Sequence, residues 1–247
     1  MSFIINSFVF STTQLIRDQL TSPDNLIALW FFNTLSGTSV IDQSGNGHTM
    51  TMSANISTMT PTGRSITFSG SEYWTVEDKA DLSFGNGTAD GSFSIMVYGK
   101  PTFDTTFRYD LYKGEAYPNY EYLLYQRDSD VLTLSLWDAS ASAYRNALSS
   151  VQSTPVNNTL YTGTYNGNEA NPLAGLNIYK DTSNINNSTA ETGSYTSMEN
   201  LSVGLISGNN EHSGLIKGSR SVIGIISEEL DVTQIGNIKT ILSNNFD

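Results

Sequence analysis

The sequence of 247 residues contains no cysteine and only two histidines, and its 12 Lys and Arg are outnumbered by 24 Asp and Glu. Without cysteine the chain can form no disulfide, no thiolate zinc site and no cysteine nucleophile. Its formal charge of −12 repels a phosphate backbone, because nucleic-acid affinity depends on a dense cationic surface. We therefore expect no nucleic-acid partner.

Long apolar runs are also missing. No stretch approaches the roughly 20 apolar residues that are needed to cross a bilayer, so we expect no transmembrane segment and no membrane insertion. Residues 1–10 have no basic residue ahead of their apolar part and no small-x-small cleavage site, so they do not resemble a signal peptide. They predict a strand instead, and the chain is expected to be soluble.

The residues that are present predict a β-sandwich. Hydrophobic residues make up 38% of the chain, with 13 Tyr, 11 Phe and 3 Trp, which is enough for a core. Strand-like segments are separated by turns rich in Gly, Asn, Asp and Ser. In residues 132–137 leucines alternate with small polar residues, which predicts one face in a core and one in solvent. Residues 93–98 are partly apolar on both faces, which predicts a central strand. The expected fold class is all-β, with two antiparallel sheets packed face to face.

Two short helices are expected near the ends of the chain. The first covers residues 13–20, where a hydroxyl residue can cap the helix and the apolar residues fall on one side. The second covers residues 232–242, with Asp231 as its N-cap and isoleucines at helical spacing.

A candidate boundary lies at residues 22–25, Ser-Pro-Asp-Asn. We predict a short N-terminal arm over residues 1–25, made of a strand and a helix and able to dock on a partner. The sandwich domain is then expected to occupy residues 26–247.

The stretch over residues 29–52 consists of an apolar run, a polar turn with the sequence Asp-Gln-Ser-Gly-Asn-Gly-His, and a second run. It resembles the entry hairpin of the laminin-G-like, concanavalin A-like family of lectin and glucanase jelly rolls. The resemblance extends over residues 26–242, because further segments follow in family order. These segments are residues 63–68, 73–76, 92–98, 109–114, 122–125, 132–137, 160–165, 175–179 and 224–230.

This resemblance implies a jelly-roll sandwich with a glycan-binding or adhesion role. The sequence departs from the family at Asp181-Thr182, where members usually have an aspartate-glycine turn. Laminarinase-type relatives carry the motif E-x-D-x-x-E for glycoside hydrolysis. The nearest match is residues 229–234, which ends in Gln234 and opens the second helix. Because glutamine cannot transfer the catalytic proton, we interpret this segment as an acidic helix N-terminus.

Other hydrolytic constellations are also missing. The two histidines are His48, beside the glycine-rich turn, and His212, in a glycine-flanked loop, and no Gly-x-Ser-x-Gly is present. We expect His48 to begin a strand and His212 to be solvated. The protein is expected not to be an enzyme, although sequence leaves open a carboxylate pair contributed by separate strands.

Calcium is the more plausible chemistry for the turn after the first strand. Asp42, Ser44 and Asn46 alternate there, next to glycine carbonyls, and calcium prefers oxygen ligands of these kinds. The resemblance adds that family members often hold calcium at loop ends. The alternative is a turn in which Asp42 accepts hydrogen bonds from its own downstream amides. The three residues are candidate Ca²⁺ ligands.

Glycan binding requires aromatic faces, on which sugar rings stack, and nearby polar groups for the hydroxyls. The candidates are Tyr120 and Tyr122, which are expected to share one face of a strand, together with Trp74 and Trp137 near strand ends. Most aromatic residues of a sandwich belong to its core, and that alternative applies to each of them. The expected ligand is a polysaccharide or a cell-surface glycan.

Residues 1–10 also resemble the beginnings of phage tail and minor virion proteins. That resemblance implies a location on a virion surface or outside the cell, with residues 1–22 docking on other virion proteins. The main hypothesis is a non-catalytic carbohydrate-binding or adhesion protein on a phage surface. The alternatives are a structural decoration protein without a ligand and a glycoside hydrolase on a glucanase-like scaffold. A homo-oligomer is left open.

Overall fold

Sixteen strands are present in the described part of this computed structural model, which comprises residues 7–53, 64–114, 120–167, 175–191, 195, 197–198, 205–207 and 216–247. The strands are β1 Leu26–Phe31, β2 Ser39–Val40, β3 Met50–Met52, β4 Ile66–Ser69, β5 Trp74–Val76, β6 Phe93–Pro101, β7 Arg108–Gly114, β8 Tyr120–Gln126, β9 Val131–Asp138, β10 Ala143–Val151, β11 Thr159–Tyr165, β12 Leu176–Lys180, β13 Ser183–Asn184, β14 Asn186–Glu191, β15 Leu205–Ser207 and β16 Lys217–Ile226.

The strands form two antiparallel sheets. A seven-stranded sheet has the order β1-β16-β6-β11-β12-β13, with β4 also paired to β16. A nine-stranded sheet has the order β14-β10-β9-β8-β7-β15-β5-β3-β2. The first strand pairs with the last, so the two ends of the chain close the same sheet. The predicted fold class, an antiparallel two-sheet jelly-roll sandwich with a short helix near each end, is confirmed.

The main core lies between the two sheets. It contains Leu132, Leu134 and Leu136 of β9, as their alternation predicts. Strand β6 lies between β16 and β11, so the prediction that residues 93–98 form a central strand is also confirmed. Its opposite face belongs to a second apolar layer.

Two helices cover the outer face of the seven-stranded sheet. Helix α1 spans Ser7–Arg17 and helix α2 spans Val232–Phe246. Buried side chains of both helices pack against the outward-facing residues of β1, β6, β11 and β16. The layer consists of Ile16, Leu20, Leu26, Leu29, Phe31, Met96, Tyr98, Leu160, Val222, Ile226, Leu230, Ile235, Ile238, Leu242 and Phe246. Neither described helix has the length and hydropathy that a membrane span requires.

The bounds of the helices differ from the expected ones. Helix α1 begins at Ser7 instead of Thr13, so the strand predicted for residues 1–10 is wrong for residues 7–10, and residues 1–6 lie outside the described residues. The β-propensity of Phe and Val depends on context and does not by itself decide between strand and helix. Helix α2 has the predicted N-cap, Asp231, and continues to Phe246.

The segment that follows α1 is joined to the sandwich by hydrogen bonds. The backbone N–H of Thr21 donates to the Glu228 carboxylate, at 3.1 Å and 3.2 Å from its two oxygens. Gln234 and Asn237 of α2 donate to the backbone and side-chain oxygens of Gln19, both at 2.9 Å. The last part of the predicted arm thus contacts its own domain, and docking of residues 1–22 on other proteins stays a prediction.

Candidate functional site

Aromatic side chains collect on the outer face of the nine-stranded sheet, opposite the main core. Tyr112, Tyr120, Leu123 and Trp137 form a buried cluster there, and Tyr109, Tyr125 and Tyr144 pack against it. Phe107 precedes β7 and stacks on Tyr125. We call these eight residues the outer aromatic face.

Two β-bulges bring these aromatic residues to one side. On β7 the register with β8 shifts between Tyr109 and Leu111, so Tyr109 and Tyr112 both face outward although they are three residues apart. On β8 the register shifts again, because Tyr120 pairs with Gly114 while Tyr122 pairs with Lys113. The extra residue of a bulge reverses the alternation of side chains beyond it.

The prediction that Tyr120 and Tyr122 share a face is therefore wrong. Tyr120 lies on the outer aromatic face, whereas Tyr122 is fully buried in the main core and donates a hydrogen bond of 2.7 Å to the carbonyl of Leu82. Trp74 is also fully buried in the main core, with its ring 6.0 Å from that of Trp30. Neither side chain has an accessible face, so the prediction that they stack on a sugar is wrong.

Tyr120 and Trp137, the other two predicted glycan-binding residues, are brought together on the outer aromatic face with ring centroids 5.5 Å apart. The rings continue as a ladder across the sheet. Phe107, Tyr125 and Tyr109 stack nearly parallel, with centroid distances of 6.3 Å and 5.6 Å between successive rings. Sequence reasoning missed these three rings and Tyr144. Their position on this face depends on the β-bulge in β7 and on the pairing of β10 with β9, and neither leaves a local pattern in the sequence.

The rings at the edges of this face are accessible. Phe107 is 37% exposed, and Tyr109, Tyr125 and Tyr144 are half-buried. Tyr120 and Trp137 are buried, at 5% and 7% exposure. The outer aromatic face thus offers ring surfaces at its rim, supported by a buried inner layer.

Polar atoms lie between the rings. The hydroxyl groups of Tyr120 and Ser135 are hydrogen-bonded at 2.9 Å. Trp137 pairs in register with Tyr144, and Ser135 pairs with Asn146, so these side chains are neighbours on the outer face. Trp137 Nε1 and Asn146 Oδ1 are buried and have no hydrogen-bond partner in the described structure. A buried donor or acceptor without a partner is destabilising, so each such group requires an explanation.

The turn that carries the predicted calcium ligands is closed by hydrogen bonds. Asp42 Oδ1 accepts from the backbone N–H groups of Leu29 at 3.0 Å and Ser44 at 2.8 Å. Asp42 Oδ2 accepts from the Ser44 hydroxyl at 2.7 Å and the backbone N–H of His48 at 3.0 Å. All the acceptor positions of the carboxylate face protein donors, which is the arrangement expected of the hydrogen-bonded turn.

The other two residues of the turn have protein partners as well. The Asn46 amide nitrogen donates to the carbonyls of Leu26 at 3.1 Å and Ile27 at 2.8 Å. Arg17 donates to the Ser44 carbonyl, and Lys79 donates to the carbonyls of Asn46 at 3.2 Å and Gly47 at 3.0 Å. No group of three His, Asp or Glu within the described ranges is arranged to hold a metal. These contacts favour the hydrogen-bonded turn, and calcium binding stays a prediction.

The carboxylates considered for catalysis have structural contacts. The Asp231 carboxylate accepts from the backbone N–H groups of Thr233 and Gln234, and the Gln234 side chain accepts from the backbone N–H of Asp231. Residues 229–234 therefore open α2, as interpreted.

One of the two histidines also has a structural contact. His48 is buried, and its Nε2 lies 3.0 Å from the Asp81 carboxylate; the strand that His48 was expected to begin starts at Met50 instead. His212 lies outside the described residues.

A buried ionic group lies on the inner side of the same sheet. Lys113 is fully buried, with Nζ 2.7 Å from Asp78 and 3.8 Å from Glu121. Glu121 Oε1 accepts from the backbone N–H groups of Phe84 at 2.6 Å and Gly85 at 3.2 Å. Burial raises the pKa of Glu121 from 4.5 to about 7, and Lys113 and these hydrogen bonds oppose the rise. The group is enclosed by the core, which indicates a structural role.

No family model matches the sequence, and no curated protein matches it. Solved structures are similar in fold. The receptor-binding domain of botulinum neurotoxin D matches with a TM-score of 0.62 and 12% identity, over 90% of this chain and 53% of that chain. The binding domain of Paraclostridial Mosquitocidal Protein 1 matches with a TM-score of 0.59 and 14% identity, over 90% and 53% of the two chains.

The serotype D ligand-binding domain, solved in complex with N-acetylneuraminic acid, matches with a TM-score of 0.60 and 14% identity, over 91% of this chain and 52% of that chain. This chain therefore spans about half the length of these binding domains. At such identities the comparisons show a shared fold. The chain is similar to one half of these toxin binding domains.

Proposed function

We propose that this chain is a non-catalytic carbohydrate-binding protein whose site is the outer aromatic face. One observation carries the proposal: a ladder of aromatic rings lies beside a buried donor, Trp137 Nε1, and a buried acceptor, Asn146 Oδ1, that have no partner in the described structure. Aromatic rings stack on the C–H faces of sugars, and a few polar groups placed among them orient the hydroxyls.

The similar structures support this proposal without assigning a ligand. One of them is a binding domain in complex with N-acetylneuraminic acid, and another is a binding domain in complex with rat synaptotagmin II. Because only about half of each of those chains is matched, their ligands are not transferred to this protein. We propose a polysaccharide or a cell-surface glycan as the ligand. Its setting on a phage or other extracellular surface stays a prediction, as does docking through residues 1–22.

The proposal is tested on a glycan array and by titration calorimetry with the saccharides that the array identifies. Tyr144→Ala removes a half-buried ring at the rim, and we expect it to weaken binding about tenfold or more, in line with the energy of a stacked ring. Tyr73→Ala is the matched control, because Tyr73 is 40% exposed and lies outside the outer aromatic face. We expect the control to bind like the wild type.

Trp137→Phe separates the hydrogen bond from the ring. It keeps an aromatic side chain but removes the Nε1 donor, so we expect weaker binding by about tenfold. The lost ring volume should lower stability by about 1 kcal/mol, offset in part because an unpaired buried donor is also lost. An array without any signal, or equal affinity for wild type, Tyr144→Ala and Trp137→Phe, would overturn the proposed site.

A further inference from the structure

The side chain of Arg127 lies at one end of the outer aromatic face. Arg127 follows β8 directly, and its backbone N–H donates to the carbonyl of Val131 at 2.9 Å, which continues the pairing of β8 with β9. Side chains alternate along a paired strand, so Arg127 lies on the same side of the sheet as Tyr125, two residues earlier. Tyr125 is the middle ring of the stack formed with Phe107 and Tyr109.

Arg127 differs from the other arginines in its partners. The other five donate hydrogen bonds to protein acceptors: Arg17 to the Ser44 carbonyl, Arg64 to the Asn245 carbonyl, Arg108 to Asp104, Arg145 to the Tyr195 carbonyl and Arg220 to Asp110. Within the described ranges the Arg127 side chain has no hydrogen bond or ion pair, and its Nε is buried without a partner.

This is unexpected in a chain with 24 acidic and 12 basic residues, where an arginine would easily find a carboxylate. The nearby carboxylate of Asp130 is used elsewhere: it accepts from the backbone N–H of Thr105 at 2.7 Å and from Gln126 at 3.3 Å. Burial raises the pKa of Tyr125 to about 12, and the positive charge of Arg127 opposes that rise, which indicates electrostatic proximity.

We propose that Arg127 and the adjoining rings Phe107, Tyr125 and Tyr109 form a subsite for a carboxylated sugar. The inference rests on the proposed function and names the ligand class of that site. A guanidinium group presents paired N–H donors that match both oxygens of a carboxylate, while the neighbouring rings offer a stacking surface for the sugar ring. Asp128 and Asp130 follow Arg127 in the chain and oppose such a ligand, whereas carboxylates more than about 8 Å away are largely screened at physiological ionic strength.

The subsite is tested with matched acidic and neutral saccharides. The probes are polygalacturonate with its methyl ester, sialyllactose with lactose, and dextran sulfate with dextran, each titrated into the full chain. We expect the wild type to bind at least one carboxylated probe about tenfold or more tightly than its neutral counterpart, and Arg127→Gln to remove this preference while leaving binding of the neutral probe unchanged. Arg127→Lys should retain only part of it, because lysine lacks the planar fork.

Lys100→Gln is the matched control, because it removes one positive charge on β6 of the other sheet, and we expect it to preserve the preference. The subsite is overturned if the wild type binds acidic and neutral probes equally well, or if Arg127→Gln loses binding of both kinds of probe. In either case, weaker binding by Trp137→Phe would still support the proposed function. A preference confined to the sulfated probe also overturns it. If none of the probes and no array glycan binds, both proposals fail. Urea unfolding of each variant identifies loss of folding.

Discussion

The outward-facing sides of the two sheets are covered in different ways. The seven-stranded sheet has apolar residues on both sides, and helices α1 and α2 cover its outer side with largely aliphatic contacts, together with Phe31, Tyr98 and Phe246. The nine-stranded sheet covers its outer side with its own tyrosines and Trp137, packed over Thr133 and Ser135. The first face is closed by packing under two helices, whereas the second presents aromatic rings with polar tips that no helix of the described residues covers.

This difference indicates where binding energy is available. Aliphatic side chains buried under a helix contribute to stability and leave nothing for a ligand to contact. Aromatic side chains bury a large surface and still carry hydrogen-bonding groups, so they can support both the sheet and a ligand. We therefore expect substitutions on the helix-covered face to affect stability, and substitutions on the outer aromatic face to affect binding.

The largest expected effect is on the helix-covered face. Ile238 of α2 is fully buried against the seven-stranded sheet, so Ile238→Ala should lower the free energy of unfolding by about 2–5 kcal/mol. Urea unfolding measures this loss, and the array signal of the folded variant should be unchanged. Tyr144→Ala is the counterpart on the other face, with an expected loss of only about 1 kcal/mol and weaker binding. Weaker binding by Ile238→Ala, together with a large loss of stability and unchanged binding in Tyr144→Ala, would contradict this comparison of the two faces.

The next effect concerns the inner side of the nine-stranded sheet. The pKa of Glu121 is raised to about 7 in the folded state, so between about pH 4.5 and 7 the folded protein holds a proton that the unfolded chain releases. The contribution of Glu121 to stability is therefore present at low pH and is lost as the pH rises, by about 3 kcal/mol over this window. Glu121→Gln should remove this part of the pH dependence, measured by urea unfolding at several pH values.

A glutamine can still accept the hydrogen bonds from Phe84 and Gly85, which makes Glu121→Gln a conservative test. Glu77→Gln is the matched control, since Glu77 is an exposed residue just after β5 and should leave the pH profile unchanged. If the variant and the wild type lose stability in parallel between pH 4.5 and 7, Glu121 is ionised throughout. The outer aromatic face should bind equally well in both proteins.

The smallest of the three effects is at the turn beside α1. Asp42→Ala removes the acceptor of four hydrogen bonds and should lower the free energy of unfolding by about 1–3 kcal/mol in the presence of a chelator. Thermal unfolding with and without calcium then tests the predicted metal site. A calcium-dependent rise in the midpoint of the wild type, absent in Asp42→Ala, would support calcium binding. If Asp42→Ala and the wild type have nearly the same free energy of unfolding in the presence of the chelator, the structural role of Asp42 is contradicted.

Much of the fold could be predicted from local patterns. The alternation of leucines in β9 and of Phe93, Ile95 and Val97 in β6 indicates which side enters the core, and the Asp231 cap indicates where α2 begins. The prediction that the other side of β9 meets solvent is wrong, because Thr133 and Ser135 lie under the aromatic cluster. A single strand carries no information about what covers it.

The candidate site was predictable only in part. Tyr120 and Trp137 were named from their residue types and belong to the outer aromatic face, whereas Trp74 and Tyr122 were named on the same grounds and belong to the core. Side-chain alternation has a period of two, so one inserted residue sends every later side chain to the opposite face. The bulge between Tyr120 and Tyr122 is such an insertion, and it depends on pairing with β7.

The sequence by itself determined the all-β class, the central strands and the capped helix near the C-terminal end, because these depend on periodicity and hydrogen bonding within a few residues. Only the tertiary structure decided which aromatic rings meet, which face the helices cover, and that the Arg127 side chain has no hydrogen-bond partner in the described residues. These properties depend on strand order and register, which join residues far apart in the chain and leave no local pattern.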